Sequence, residues 1–144
     1  MNKMNQVLKE ASKTGSVEVV KAMLKCGANV RVNNDYAFRW AFYNGHYETV
    51  KVLLENGADV HAKDDYALRY ASEYGHYETV KVLLENGADV HARDDYALRW
   101  ASRNGHIETV KVLEDHIKGE SITISRKEYE NLLETVKNLD NSND

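Results

Sequence analysis

Six histidines and two aspartate pairs are the residues with the most chemical reach in this sequence. His46, His76 and His106 each follow a glycine, His61 and His91 stand one structural unit apart, and His116 stands alone. Imidazoles and carboxylates together can hold zinc, but each ligand must then lie about 2.0–2.1 Å from a single ion. Histidines on successive stacked helices would be separated by about 8–10 Å, the usual interaxial distance, and could not share one. Asp64-Asp65 and Asp94-Asp95 read as helix caps, carboxylates accepting from free amides at a helix start. The sequence has no Gly-x-Ser-x-Gly, no phosphate-cradling glycine loop and no His-Glu-x-x-His. The reading is of a chain that is not an enzyme and takes no cofactor and no metal. What remains for recognition is aromatic and charged: Trp40, Tyr70 and Trp100 in one register, followed by Tyr43-Asn44, Glu73-Tyr74 and Arg103-Asn104.

These residues are set out by a period of thirty. Asp64 to Arg93 aligned on Asn34 to Lys63 is identical at 23 of 30 positions, and Gly75 to Ala92 repeats Gly45 to Ala62 without a change. Asp94 to Leu113 matches Asp64 to Leu83 at 16 of 20 positions. A fainter copy, Met4 to Asn33, keeps Ala11, Gly15, Glu18, Val20, Lys21, Leu24, Gly27, Ala28 and Val30. Such a period marks supersecondary units too small to bury their own apolar faces, each sealed by its neighbours. In the unit Asp64 to Arg93 the pattern predicts a short helix near Tyr66 to Tyr74 with Asp65 as its cap, ended by Gly75. A second helix is predicted from about Tyr77 to Asn86, with Glu78 in its first turn and Gly87 closing it. Ala67, Leu68 and Ala71 on the first helix, and Val80, Leu83 and Leu84 on the second, are the candidate core.

Ala71, Gly75-His76, Glu78, Val80, Leu83-Leu84 and Gly87-Ala88-Asp89-Val90 resemble the ankyrin repeat, over roughly Met4 to Leu113. The resemblance implies an all-α solenoid of stacked helix-turn-helix units. Two departures matter. Ankyrin repeats are usually about 33 residues long. The three residues missing here fall between Asp64 and Leu68, where the family projects a β-hairpin finger, so fingers are expected to be shortened or absent. The family's Thr-Pro-Leu-His start reads Tyr66-Ala67-Leu68-Arg69, so the hydrogen bonds of that threonine and histidine must be replaced or lost. This thirty-residue variant most resembles ankyrin repeats of large DNA viruses that infect amoebae, which would place it in the host-cell cytoplasm. The histidine after the turn glycine is implied to serve the inter-helix turn.

Net charge −4 and pI near 5.9 argue against nucleic acid as partner. No apolar run approaches the ~20 residues that span a bilayer, and the polar start is no signal peptide, so no membrane role is expected. Cys26 is the only cysteine and reads as a tolerated surface thiol. The chain divides into an array over 1–118, with repeats near 4–33, 34–63, 64–93 and 94–118, and a segment over 119–144. In that segment Gly119 is expected to stop a helix and 121–124 to alternate like a strand. A capping box, Ser125 with Glu128, then opens a helix over about 126–139, and the tail from Asp140 to Asp144 reads as disordered. Tyr129, Leu132, Leu133, Val136 and Leu139 mark one face of that helix. It reads as a C-terminal cap over the last repeat, with a helix that pairs chains as the alternative.

Variation between copies concentrates at the end of the first helix, while the second is almost frozen. In the family these positions lie on the concave, partner-binding surface. The reading is thus a non-catalytic interaction module, expected to be a monomer, that binds a protein of unidentified kind through Trp40, Tyr43, Asn44, Tyr70, Glu73, Tyr74, Trp100, Arg103 and Asn104. The alternative is an oligomerising or structural protein built on the last helix.

Overall fold

Eight helices alternate along the described residues and stack in two layers. The computed structural model describes residues 2–142. The elements are α1 (Lys3–Thr14), α2 (Val17–Lys25), α3 (Val32–Tyr43), α4 (Tyr47–Glu55), α5 (Ala62–Glu73), α6 (Tyr77–Glu85), α7 (Ala92–Arg103) and α8 (Ile107–Asn141). Each odd helix packs on the next odd one and each even helix on the next even one, with one hairpin per repeat. No strand occurs among the described residues, so the hairpin finger is absent, as the thirty-residue period predicts.

The core follows the repeat. Leu8, Ala37, Phe38, Ala41, Ala67, Leu68, Ala71, Ala97 and Ala101 are buried from the odd layer, and Val20, Val50, Leu53, Val80, Leu83 and Leu113 from the even one. Alanine at 41, 71 and 101 lets neighbouring helices approach closely. Leu68, Val80 and Leu83 are fully buried, and removing such a side chain to alanine costs about 2–5 kcal/mol.

The chain replaces the missing finger with an unusual turn. Lys63, Asp64 and Asp65 lie consecutively in the left-handed region, with φ of 54, 56 and 54°. Asn33 to Asp35 and Arg93 to Asp95 repeat it. The left-handed well costs an L-residue about 1–2 kcal/mol, least for Asn and Asp, whose side chains bond locally. The arginine found where the family has histidine offsets that cost. Arg69 donates through Nε to the carbonyl of Asp64 (3.0 Å) and through Nη2 to that of Lys63 (3.0 Å). Arg39 does the same to Asn34 and Asn33, and Arg99 to Asp94 and Arg93. The lost Thr and His bonds are thus replaced by an arginine clamp on the turn.

Asp65 does not cap its own helix as expected. Its Oδ1 instead accepts from the backbone N–H of Asp89, at the far end of the same repeat, at 2.9 Å. Asn5 reaches Asn29 in the same way, at 2.8 Å. The first and third repeats are thus each closed from start to end through a buried side chain.

The C-terminal segment departs from the sequence reading. A C-terminal helix is present, but it is the continuation of α8, which runs unbroken through Gly119 to Asn141. Gly119 is not left-handed, and no proline follows to force a stop. The expected strand at 121–124 is helix, and Ser125 lies inside the helix rather than at its start. Ser121 and Thr123 turn their hydroxyls back to the carbonyls of Ile117 and Gly119, a bond open to these residues within a helix. The segment does not lie over the last repeat. Tyr129, Leu132 and Leu139 are each more than 60% exposed, whereas Leu113 is buried by the array itself. Of the tail read as disordered, Asp140 and Asn141 are helical, and residues 143–144 lie outside the described residues.

Candidate protein-binding face

The ends of α3, α5 and α7 carry aromatic rings, and those of α3 and α5 touch across the repeat boundary. Trp40 and Tyr43 meet edge to face with centroids 6.0 Å apart. Tyr43 reaches across to Tyr70 at 4.6 Å, and Tyr70 stacks on Tyr74 at 4.4 Å and 29°. Trp100 stands one repeat further, 5.5 Å from Tyr96. Such pairs add about 0.5–1.5 kcal/mol beyond their buried area, so the rings are held before any partner arrives. Of the expected residues, Trp40, Tyr43, Tyr70 and Tyr74 are brought into one contiguous run. Tyr74 is its most open member, 55% exposed.

Cations sit on the same rings. Lys9 Nζ lies 4.0 Å from the centre of Tyr36, and Lys13 Nζ lies 4.8 Å from that of Trp40. Arg103 covers Trp100 at 5.0 Å. Arg69 lies between two repeats, 5.4 Å from Tyr66 and 5.2 Å from Tyr96. Contacts of this kind are worth about 0.5–1 kcal/mol at exposed sites. Burial is the first cause that pushes the phenols of Tyr66, Tyr70 and Tyr96 up from 10.0, which keeps them neutral donors at physiological pH. The Tyr96 hydroxyl donates to Glu73 Oε2 at 2.9 Å.

Some expected residues are occupied with the scaffold. Asn44 Nδ2 donates to the carbonyls of Trp40 (2.9 Å) and of Lys13 in the preceding repeat (3.4 Å). Asn104 Nδ2 donates to the Glu73 carbonyl at 3.0 Å. Tyr74 holds the same register without this bond, and its ring turns onto Tyr70 instead. Tyr36, Tyr66 and Tyr96, which are not among the residues expected for the face, also lie against its rings. Their i, i+4 spacing to Trp40, Tyr70 and Trp100 is the signal that finds them, since such residues share a helix face. Lys9 and Lys13 were hidden because the first repeat's copy has lost the aromatic residues that mark the register.

The histidines explain themselves by geometry. His46 Nε2 lies 3.0 Å from the Lys13 carbonyl and His106 Nε2 2.8 Å from the Glu73 carbonyl, each in the preceding repeat. Their rings lie over Gly15 and Gly75, where an added Cβ would come within 2.6 Å of the imidazole. Burial lowers the His76 pKa below 6.5. The hydrogen bond that its ring donates to Asp95 raises that of His91, with Glu120 adding to it. No group of histidine, cysteine and acidic residues among the described residues is arranged to hold a metal ion. None of the described helices is long and apolar enough to cross a membrane.

Stacked two-helix units with inter-repeat tethers and a row of half-open rings define a helical repeat protein. Residues 2–64 match the family described as ankyrin repeats (3 copies), and residues 68–114 that described as ankyrin repeats (many copies). Together these matches span most of the chain, which belongs to the ankyrin-repeat proteins. No curated protein matches the sequence significantly. Ankyrin repeats generally mediate protein–protein interaction and are typically non-catalytic.

Proposed function

We propose that this chain is an interaction module that binds a protein through the ring-bearing face of α3, α5 and α7, and that it catalyses nothing. The observation that carries the reading is the ring run from Trp40 through Tyr43 and Tyr70 to the open Tyr74. Packed rings present contact area at little ordering cost, and Tyr, Trp and Arg are the residue types enriched in binding hot spots. Lys9, Lys13, Arg69 and Arg103 lie on these rings in a chain of net charge −4. A partner segment with acidic side chains and an exposed apolar residue is the chemistry that fits. A viral origin, and action in the host-cell cytoplasm, belong to the same proposal and rest on the thirty-residue Ala-Leu-Arg variant alone. A second role, pairing of chains through the end of α8, is favoured by that segment's exposed apolar residues.

The test is Tyr74→Ala against Lys81→Ala. Loss of a hot-spot ring costs about 2 kcal/mol, or thirtyfold in Kd. Partners captured from lysate by the wild-type chain should be lost from Tyr74→Ala, retained by Lys81→Ala on the even layer, and weakened by added salt. Unfolding curves of both variants should match wild type. Binding that Lys81→Ala abolishes and Tyr74→Ala leaves intact would move the site to the other layer.

A further inference from the structure

The end of α8 leaves the array with an apolar face that no described residue covers. Ile122, Tyr129, Leu132, Val136 and Leu139 are between 48% and 69% exposed. With Ser125 between the first two, they follow one another at spacings of 3, 4, 3, 4 and 3 residues, the seam of a coiled coil. Leu133 lies beside the seam and is 43% exposed.

The charges flanking the seam indicate its cover. On the flank that carries Leu133, the residues one heptad before and after it are Arg126 and Asp140, one of each sign. In an antiparallel pair of identical helices, like flanks face each other. A two-fold axis opposite Leu133 therefore sets Leu133 against the partner's Leu133, Arg126 against the partner's Asp140, and Asp140 against the partner's Arg126. The same register meshes Leu132 with Val136 and Tyr129 with Leu139 across the pair. Arg126 already holds Glu130 on its own helix at 3.3 Å, and the partner's Asp140 gives its guanidinium a second carboxylate. A parallel pair sets unlike flanks together, with Leu133 facing Glu128 and Asp140 facing Thr135, and forms none of these ion pairs. An isologous contact of this kind closes on itself as a dimer.

We infer that this chain pairs with a second copy of itself through residues 122–141 of α8, antiparallel about an axis at Leu133. The inference rests on the chain-pairing role above and adds its orientation and register. The seam is shorter than the three to four heptads usual in a stable coiled coil, so association is weak and concentration-dependent. The array packs only on the start of α8, so the binding face of each copy stays free.

Sedimentation of the full chain should show a mass that rises with concentration from 16.4 kDa toward twice that value. Leu132→Glu should hold it at the monomer mass without moving the unfolding curve of the array. Orientation is read in a Cys26→Ser background by mixing Arg126→Cys chains with Asp140→Cys chains under mild oxidation. The antiparallel register brings the two thiols together, and the mixture cross-links faster than either variant alone. In a parallel pair these positions stand about 21 Å apart along the axis. A dimer whose mixed thiols fail to cross-link overturns the register. A mass fixed at 16.4 kDa at every concentration overturns the pairing itself and leaves the ring-bearing face untouched.

Discussion

Replacing Asp65 by alanine asks how much of the array is held by the tether that closes one repeat from start to end. Asp65 is 6% exposed. Its Oδ1 accepts from the Asp89 backbone at 2.9 Å and lies 2.9 Å from His61 Nδ1. A hydrogen bond to a charged group is worth about 1.5–3 kcal/mol. Only the Asp89 bond is counted in full, because His61 is exposed. Alanine must also hold a φ of 54°, which adds part of the roughly 1–2 kcal/mol left-handed penalty. The substitution should therefore cost about 3 kcal/mol, a large share of a small domain's stability.

The repeats supply their own controls for this experiment. Asn5 holds the Asp65 register in the first repeat and makes the same bond to Asn29. Asp65→Asn keeps the acceptor and the tolerance of the left-handed well, and should cost under about 1 kcal/mol. Asp95 holds the register in the last repeat, but the residue matching Asp89 there is Gly119, whose N–H lies inside α8. Asp95→Ala bears the conformational cost without losing a tether, and should cost about half as much as Asp65→Ala. Urea unfolding followed by helical circular dichroism gives all three values from midpoint and slope. Equal losses for Asp65→Ala and Asp95→Ala would refute the tether argument. A loss for Asp65→Asn as large as for alanine would show that charge, rather than acceptor geometry, is what matters.

Other outcomes follow from the turn, the histidines and the helix end. Lys63→Gly removes a side chain from a left-handed position and should raise stability by about 1 kcal/mol, or 3 °C in Tm; a fall would mean that the turn is unstrained. The hydrogen bond to Asp95 raises the folded pKa of His91 above 6.5. Its stabilising contribution is complete below 6.5 and is lost as pH rises through the folded value, while His76, lowered by burial, destabilises the fold as pH falls below 6.5. Nuclear magnetic resonance titration should place the two on opposite sides of 6.5, and the reverse order would show the ring contacts to be wrong. Truncation after Gly119 should leave the monomer's melting point within about 1 °C, because the residues removed are exposed; a large fall would show the segment to be a cap.

The helical hairpins and their core were legible because 3.6-residue periodicity and turn glycines were repeated in near-identical copies. Leu68, Ala71, Val80 and Leu83 could be named as core from spacing alone, and the structure buries all four. The absent finger followed from the length of the period. The left-handed triplet did not, since Lys63 and Arg93 carry no local signal for that geometry, and the clamp by Arg69 is visible only once the turn is built. At the C-terminus, Gly119 and the alternation of 121–124 were weak local cues that an uninterrupted helix overrode. For the candidate face, register brought out Trp40, Tyr70 and Trp100. Sequence could not tell that Asn44 and Asn104 bond to the preceding repeat, because Tyr74 fills the same register with an open ring.

The bonds between repeats also have a direction in time. His46 and Asn44 reach back to the Lys13 carbonyl, and His106 and Asn104 reach back to that of Glu73. None of these spans more than 33 residues. A chain emerging from the ribosome can close each latch as soon as the next helix has been made, without waiting for its C-terminus. Structure can then spread from the first hairpin forward by nearest-neighbour docking. Short loop closures of this kind favour fast folding. The exposed end of α8 is synthesised after the array, when every repeat behind it can already be in place.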